Sequence, residues 1–113
     1  MFYIYHNNRC SKSRVALQYL ENLNQPFEVI HYLEKHPTVN ELKTVLNKLN
    51  ITALELTRKN ETIWKENYKG KTFSEDELIT IMCENPKLIE RPIVIKENKA
   101  VVARPANLVE KLL

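Results

Sequence analysis

The chain has 113 residues, 43% of them hydrophobic, which is enough for one domain with a modest core and too apolar for a disordered segment. Its 17 basic and 14 acidic residues leave a net charge of +3, too mild a surplus to point to nucleic acid. No apolar run is long enough to cross a membrane, and the single glycine, Gly70, excludes a glycine-rich phosphate loop.

Met1-Phe2-Tyr3-Ile4-Tyr5 is apolar and aromatic and predicts a strand. From Val15 to Leu23 apolar residues recur three and four apart, which predicts a helix. Between them lies His6-Asn7-Asn8-Arg9-Cys10-Ser11-Lys12-Ser13-Arg14, so Cys10 falls where a strand hands over to a helix. The first amides of a helix have no partner inside it and point outward with partial positive charge. Arg9, Lys12 and Arg14 add whole charges nearby. A thiolate is stabilised in such a place, and the same amides can cradle an oxyanion. A lone cysteine is most often a small buried apolar residue. Here polar and basic neighbours on both sides argue for a reactive thiol and against a buried slot.

Pro26 to Tyr32 predicts a second strand, parallel to the first as the return of a βαβ unit. His36-Pro37 breaks the chain, and Thr38 with Glu41 forms a capping box for a helix striped by Leu42, Val45, Leu46 and Leu49. Ala53 to Leu56 reads as a short helix ending near Thr57-Arg58. Glu61 to Tyr68 is ambiguous, with Trp64 as its anchor, and Lys69 to Thr72 is a loop. Ser74 and Glu77 form a second capping box ahead of Leu78, Ile79, Ile81 and Met82, and Asn85-Pro86 ends that helix. A third strand starts at or after Pro92 and runs to Ile95. After a turn at Lys96 to Lys99, Ala100 to Ala103 gives a fourth strand, antiparallel to the third. Arg104-Pro105 leads into a closing helix through Leu108, Val109, Leu112 and Leu113. The order βαβ, helical insertion, ββα predicts an α/β fold like that of thioredoxin and glutaredoxin, as a single domain over 1–113.

Other chemistries find less support. Cys83 lies beside an apolar face and reads as inert. Two cysteines are too few for a disulfide-stapled secreted domain, and no basic start with a cleavage site is evident, so a reducing cytoplasm is expected. Cys10, Cys83 and the three histidines lack metal-ligand spacing. A tyrosine phosphatase motif needs arginine six positions after the cysteine, where Ala16 stands.

Five separated segments, in order, resemble the glutaredoxin-coupled arsenate reductases and their close relatives: Tyr5 to Arg14, His31-Tyr32-Leu33, Leu54 to Lys59, Asn85 to Val94, and Ala103-Arg104-Pro105. The resemblance covers essentially the whole chain. It implies that Cys10 is the nucleophile and that Arg58, Arg91 and Arg104 hold the oxyanion. His6, Ser13, Arg14 and Pro92 would support them, with His6 beside the thiol and Pro92 in a cis peptide opposite it. Asn8 departs from the proline expected there. The substrate implied is arsenate, a tetrahedral dianion whose charge three guanidiniums can neutralise through paired hydrogen bonds. The product of attack would be a thio-arsenate adduct on Cys10. Ser13 stands where a Cys-x-x-Cys motif would place a second thiol, so the reducing thiol must come from outside. The resemblance implies glutathione and then glutaredoxin, with no bound cofactor.

Several assignments stay open on sequence alone. Arg58 could be a solvated cation closing a helix. Arg91 and Arg104 each precede a proline and are held extended, at edges of the strand pair that should face Cys10. Arg14 could only tune the field at Cys10, and His6 could be a strand-end histidine. Two other functions remain: a regulator of the Spx kind, which shares the fold and binds RNA polymerase, and a general thiol reductase without arsenate activity. The missing second thiol argues against a redox-sensing regulator.

Overall fold

The structure is a computed structural model that describes residues 1–113. It has the thioredoxin-like α/β arrangement expected from the element order, with a four-stranded sheet ordered β2-β1-β3-β4. The chain divides into two compact units. One comprises Met1–Lys35 and Arg91–Leu113, and the other His36–Glu90.

The first unit holds the whole sheet. Strand β1 (Phe2–Tyr5) pairs in parallel with β2 (Phe27–Ile30), joined through helix α1 (Ser11–Asn22). On its other side β1 pairs antiparallel with β3 (Ile93–Lys96), which forms a hairpin with β4 (Lys99–Val102). Glu97, at φ 55°, turns that hairpin. One face of the sheet is covered by α1 and by a closing segment, Ala106–Leu112. Phe2, Ile4 and Val94 from the strands meet Ala16 and Leu20 of α1 and Val109 and Leu112 of the closing segment. Tyr5 stacks on Tyr32, with ring centroids 5.8 Å apart.

The closing segment differs from expectation. It is wound as a 3₁₀-helix, although its apolar residues repeat as an α-helix would place them. Pro105 cannot donate a hydrogen bond, and Leu108 bonds back only three residues, to its carbonyl. The Arg91-Pro92 peptide is cis, as expected, and Arg104-Pro105 is cis as well.

The second unit is helical. Helix α2 (Val39–Leu49) carries the Thr38–Glu41 capping box, and α5 (Glu75–Glu84) carries the Ser74–Glu77 box. A third box, Thr52 with Glu55, starts the one-turn α3 (Ala53–Leu56). The ambiguous stretch contains α4 (Thr62–Asn67), anchored by buried Trp64 against Tyr68 and Phe73. Helix α5 packs on α2 and α3, and a 3₁₀ turn at Pro86–Leu88 follows it. No helix is long and apolar enough to cross a membrane.

Candidate active site

Cys10 is the N-cap residue of α1, with extended φ and ψ of −97° and 120°. It is 8% exposed, so the expectation that polar neighbours would keep it out of a buried slot is corrected. Those neighbours, Asn8, Arg9, Ser11 and Lys12, turn their own surfaces to solvent while the N-cap side chain points inward. Burial alone would push the thiol pKa up. The net shift is nevertheless down, because the amides of Ser13 and Lys12 and the guanidinium of Arg91 all favour the thiolate. No cap hydrogen bond of standard geometry forms; the amides act by facing the sulfur at the positive end of the helix. The cation that acts on the sulfur is thus Arg91, from a segment about eighty residues away in sequence, rather than Arg9, Lys12 or Arg14 beside it.

Arg91 reaches this position through the sheet. Tyr5, which leads into the cysteine turn, pairs with Ile93, and Ile93 pairs with Val102. Ala103 N–H then donates to the Pro92 carbonyl at 2.9 Å. The sheet therefore brings the Cys10 turn, Arg91-Pro92 and Ala103-Arg104 to one end. Arg91 is half-buried, whereas Arg104 is exposed.

Behind the cysteine lies a polar pair that the sequence did not suggest. His6 Nδ1 and Ser13 Oγ are 2.6 Å apart, both buried. Ser13 Oγ also accepts the Asn7 N–H at 3.0 Å. Burial holds the His6 pKa below the ordinary histidine value of 6.5. The Asn8 side chain pulls the other way, while the charges of His31 and Arg14 add to the lowering. The turn itself is tied by Cys10 N–H to the Asn7 carbonyl and by Arg9 N–H to Asn7 Oδ1, each 3.0 Å. Arg14 Nη1 donates to the Asn8 carbonyl at 2.7 Å.

Arg58 belongs to the second unit and is engaged there. Its Nε lies 3.4 Å from a Glu90 carboxylate oxygen and its Nη1 3.6 Å from one of Glu61. Its backbone N–H donates to the Leu88 carbonyl at 2.7 Å. Glu61 stands three residues after Arg58, but in the turn between α3 and α4 rather than on one helix, so neither carboxylate carried a signal in the sequence. In the same unit Cys83 is half-buried, and burial together with the carboxylates of Glu41 and Glu84 pushes its pKa up.

A family model described as the ArsC family matches residues 5–112. An arsenate reductase of Neisseria meningitidis serogroup B is 39% identical over 112 residues, covering 97% of this chain and 96% of that protein. The uncharacterized protein YfgD of Escherichia coli is 42% identical over 112 residues, covering 97% of this chain and 94% of its own. Among solved structures, an arsenate reductase from Vibrio cholerae matches with a TM-score of 0.94 at 42% identity, over 99% of this chain and 97% of that one. With the cysteine turn, strands β2 to β4 and the helical insertion inside the matched region, the chain belongs to the ArsC family.

Proposed function

We propose that this protein reduces arsenate to arsenite, with Cys10 as nucleophile and an external thiol as reductant. The observation that carries the reading is the placement of Cys10 at the start of α1, with helix amides and Arg91 lowering its pKa, in an ArsC-family chain. The thiolate attacks arsenic; an S–As bond forms, an As–O bond breaks, and the oxygen leaves as water after taking up protons. Two anions must meet for this to happen. Arg91 offsets part of that charge, and Arg104 follows the strand that pairs beside Pro92.

The adduct needs a second sulfur. Ser13 has no thiol and its hydroxyl is committed to His6 and Asn7, so no resolving group stands one helical turn from Cys10. Glutathione would supply the sulfur. Formation of the S–S bond between it and Cys10 passes two electrons to arsenic, which departs as arsenite. A glutaredoxin thiol would then reduce the mixed disulfide and free Cys10.

The test is arsenate-dependent NADPH oxidation in the presence of glutathione, glutaredoxin and glutathione reductase. Activity that is present in wild type and Cys83→Ser and absent in Cys10→Ser supports the reading. A wild-type protein inactive with arsenate, yet active on a mixed-disulfide substrate, would leave it a general thiol reductase.

A further inference from the structure

We propose that Arg14 positions the nucleophile by clamping the turn that carries it, its guanidinium holding the Asn8 carbonyl 2.7 Å away. The proposal rests on Cys10 being the reactive thiol and goes beyond it in assigning what sets the place of its sulfur.

The chain must bend sharply between the end of β1 and the first turn of α1. Three hydrogen bonds secure that bend on the side of the strand, and all three run to Asn7: its carbonyl takes Cys10 N–H, its Oδ1 takes Arg9 N–H, and its N–H goes to Ser13 Oγ. Asn8, at the exposed middle of the turn, takes part in none of them. Its carbonyl is tied to the helix by Arg14. The Arg14 backbone N–H meanwhile donates to the Cys10 carbonyl at 3.0 Å. One residue thus grips the chain on both sides of Cys10, with its main chain just after the cysteine and its side chain two residues before. A helical side chain runs back toward the N-terminus of its helix, so this reach needs no unusual rotamer.

A field effect of Arg14 on the sulfur is the simpler alternative, and two observations count against it. The side chain is exposed, where its charge is screened by solvent and salt. The cation acting on Cys10 is Arg91, while Arg14 acts on His6. The amides of Lys12 and Ser13 reach Sγ only while the N-cap geometry holds. A loosened turn would let the thiol swing away from them.

The test is iodoacetamide alkylation of Cys10 and Cys83 from pH 5 to 9 in wild type, Arg14→Gln and Arg14→Met, at 0.1 M and 1 M NaCl. The reagent is neutral and holds no oxyanion, so a role in binding arsenate alone leaves it unmoved. Loss of one charge-assisted hydrogen bond should lower the Cys10 rate near pH 6 by about three- to tenfold and move its pH profile up. The Cys83 rate and the melting temperature should stay close to wild type. In 1 M salt the Debye length falls to about 3 Å, and the difference should persist. Equal Cys10 rates in wild type and variants, or a difference abolished by 1 M salt, would overturn the clamp. A wild-type Cys10 no faster than Cys83 would instead overturn the assignment of the nucleophile. Two variants are used so that one folded protein suffices.

Discussion

His6 Nδ1 and Ser13 Oγ lie 2.6 Å apart inside the protein, joining the end of the first strand to the first turn of the helix behind Cys10. Ser13 is fully buried and His6 nearly so. The serine occupies the position where a resolving cysteine would stand, and its hydroxyl is a structural link between two groups. It meets the His6 ring and also accepts the Asn7 N–H.

Ser13→Ala should therefore destabilise the fold by about 1–3 kcal/mol, because it strands a buried imidazole nitrogen and a backbone donor together. Urea unfolding of the variant measures this. A midpoint equal to wild type would mean that the pair contributes nothing net.

His6 also gives stability a pH dependence. Its folded pKa is depressed below 6.5, so the unfolded chain binds the proton more readily. The contribution is fully present above the unfolded value and is lost as pH falls through the folded one. Stability should thus decline below about pH 6.5, and His6→Gln should flatten that limb of the urea midpoint plotted against pH.

The two cysteines should separate cleanly in reactivity. The Cys10 pKa is lowered by helix amides and Arg91, and the Cys83 pKa is raised by burial and by Glu41 and Glu84. The thiolate is the nucleophile, so alkylation near neutral pH should label Cys10 first. Mass spectrometry of the two peptides after brief iodoacetamide treatment reads this directly; faster labelling of Cys83 would remove the basis for assigning Cys10.

The arginines differ in what their loss should do. Removing one preorganised donor to a developing oxyanion typically lowers rate about a hundred- to a thousandfold. Lysine keeps the charge but loses the planar fork, so Arg91→Lys and Arg104→Lys should recover only part of that in the coupled reductase assay. Arg9→Lys should turn over nearly as wild type. Arg58→Lys should lower thermal stability, because Arg58 holds Glu61 and Glu90 within its own unit. Wild-type turnover in the Arg91 and Arg104 variants would place the oxyanion elsewhere.

The capping boxes offer a control remote from the chemistry. Thr38→Ala should lower stability by about 1 kcal/mol while Cys10 reactivity stays unchanged. The Glu55 and Glu77 carboxylates are held below their ordinary pKa by Thr52 and Ser74. Their contribution is present above the unfolded carboxylate pKa and lost on acidification through the folded one, so acid should loosen these helix starts.

The sequence by itself determined the elements whose causes are local. Apolar and aromatic runs set the strands and three-to-four spacings the helices, and Thr38–Glu41 and Ser74–Glu77 marked two helix starts at the residues observed. Cys10 at a strand-to-helix turn was equally legible, because helix polarity depends only on neighbours in the chain. What the tertiary structure decided involves groups distant in sequence. Register between β1 and β3 brings Arg91 to the Cys10 sulfur, and no count of flanking charges reveals that. The burial of Cys10, the His6–Ser13 link, and the carboxylates around Arg58 likewise follow from packing and from directed hydrogen bonds. Even the final helix, α-periodic in its apolar residues, winds as 3₁₀ where it packs on the sheet. Local propensity chooses among elements; which side chains meet is fixed only when the sheet register and the helix faces close on one another.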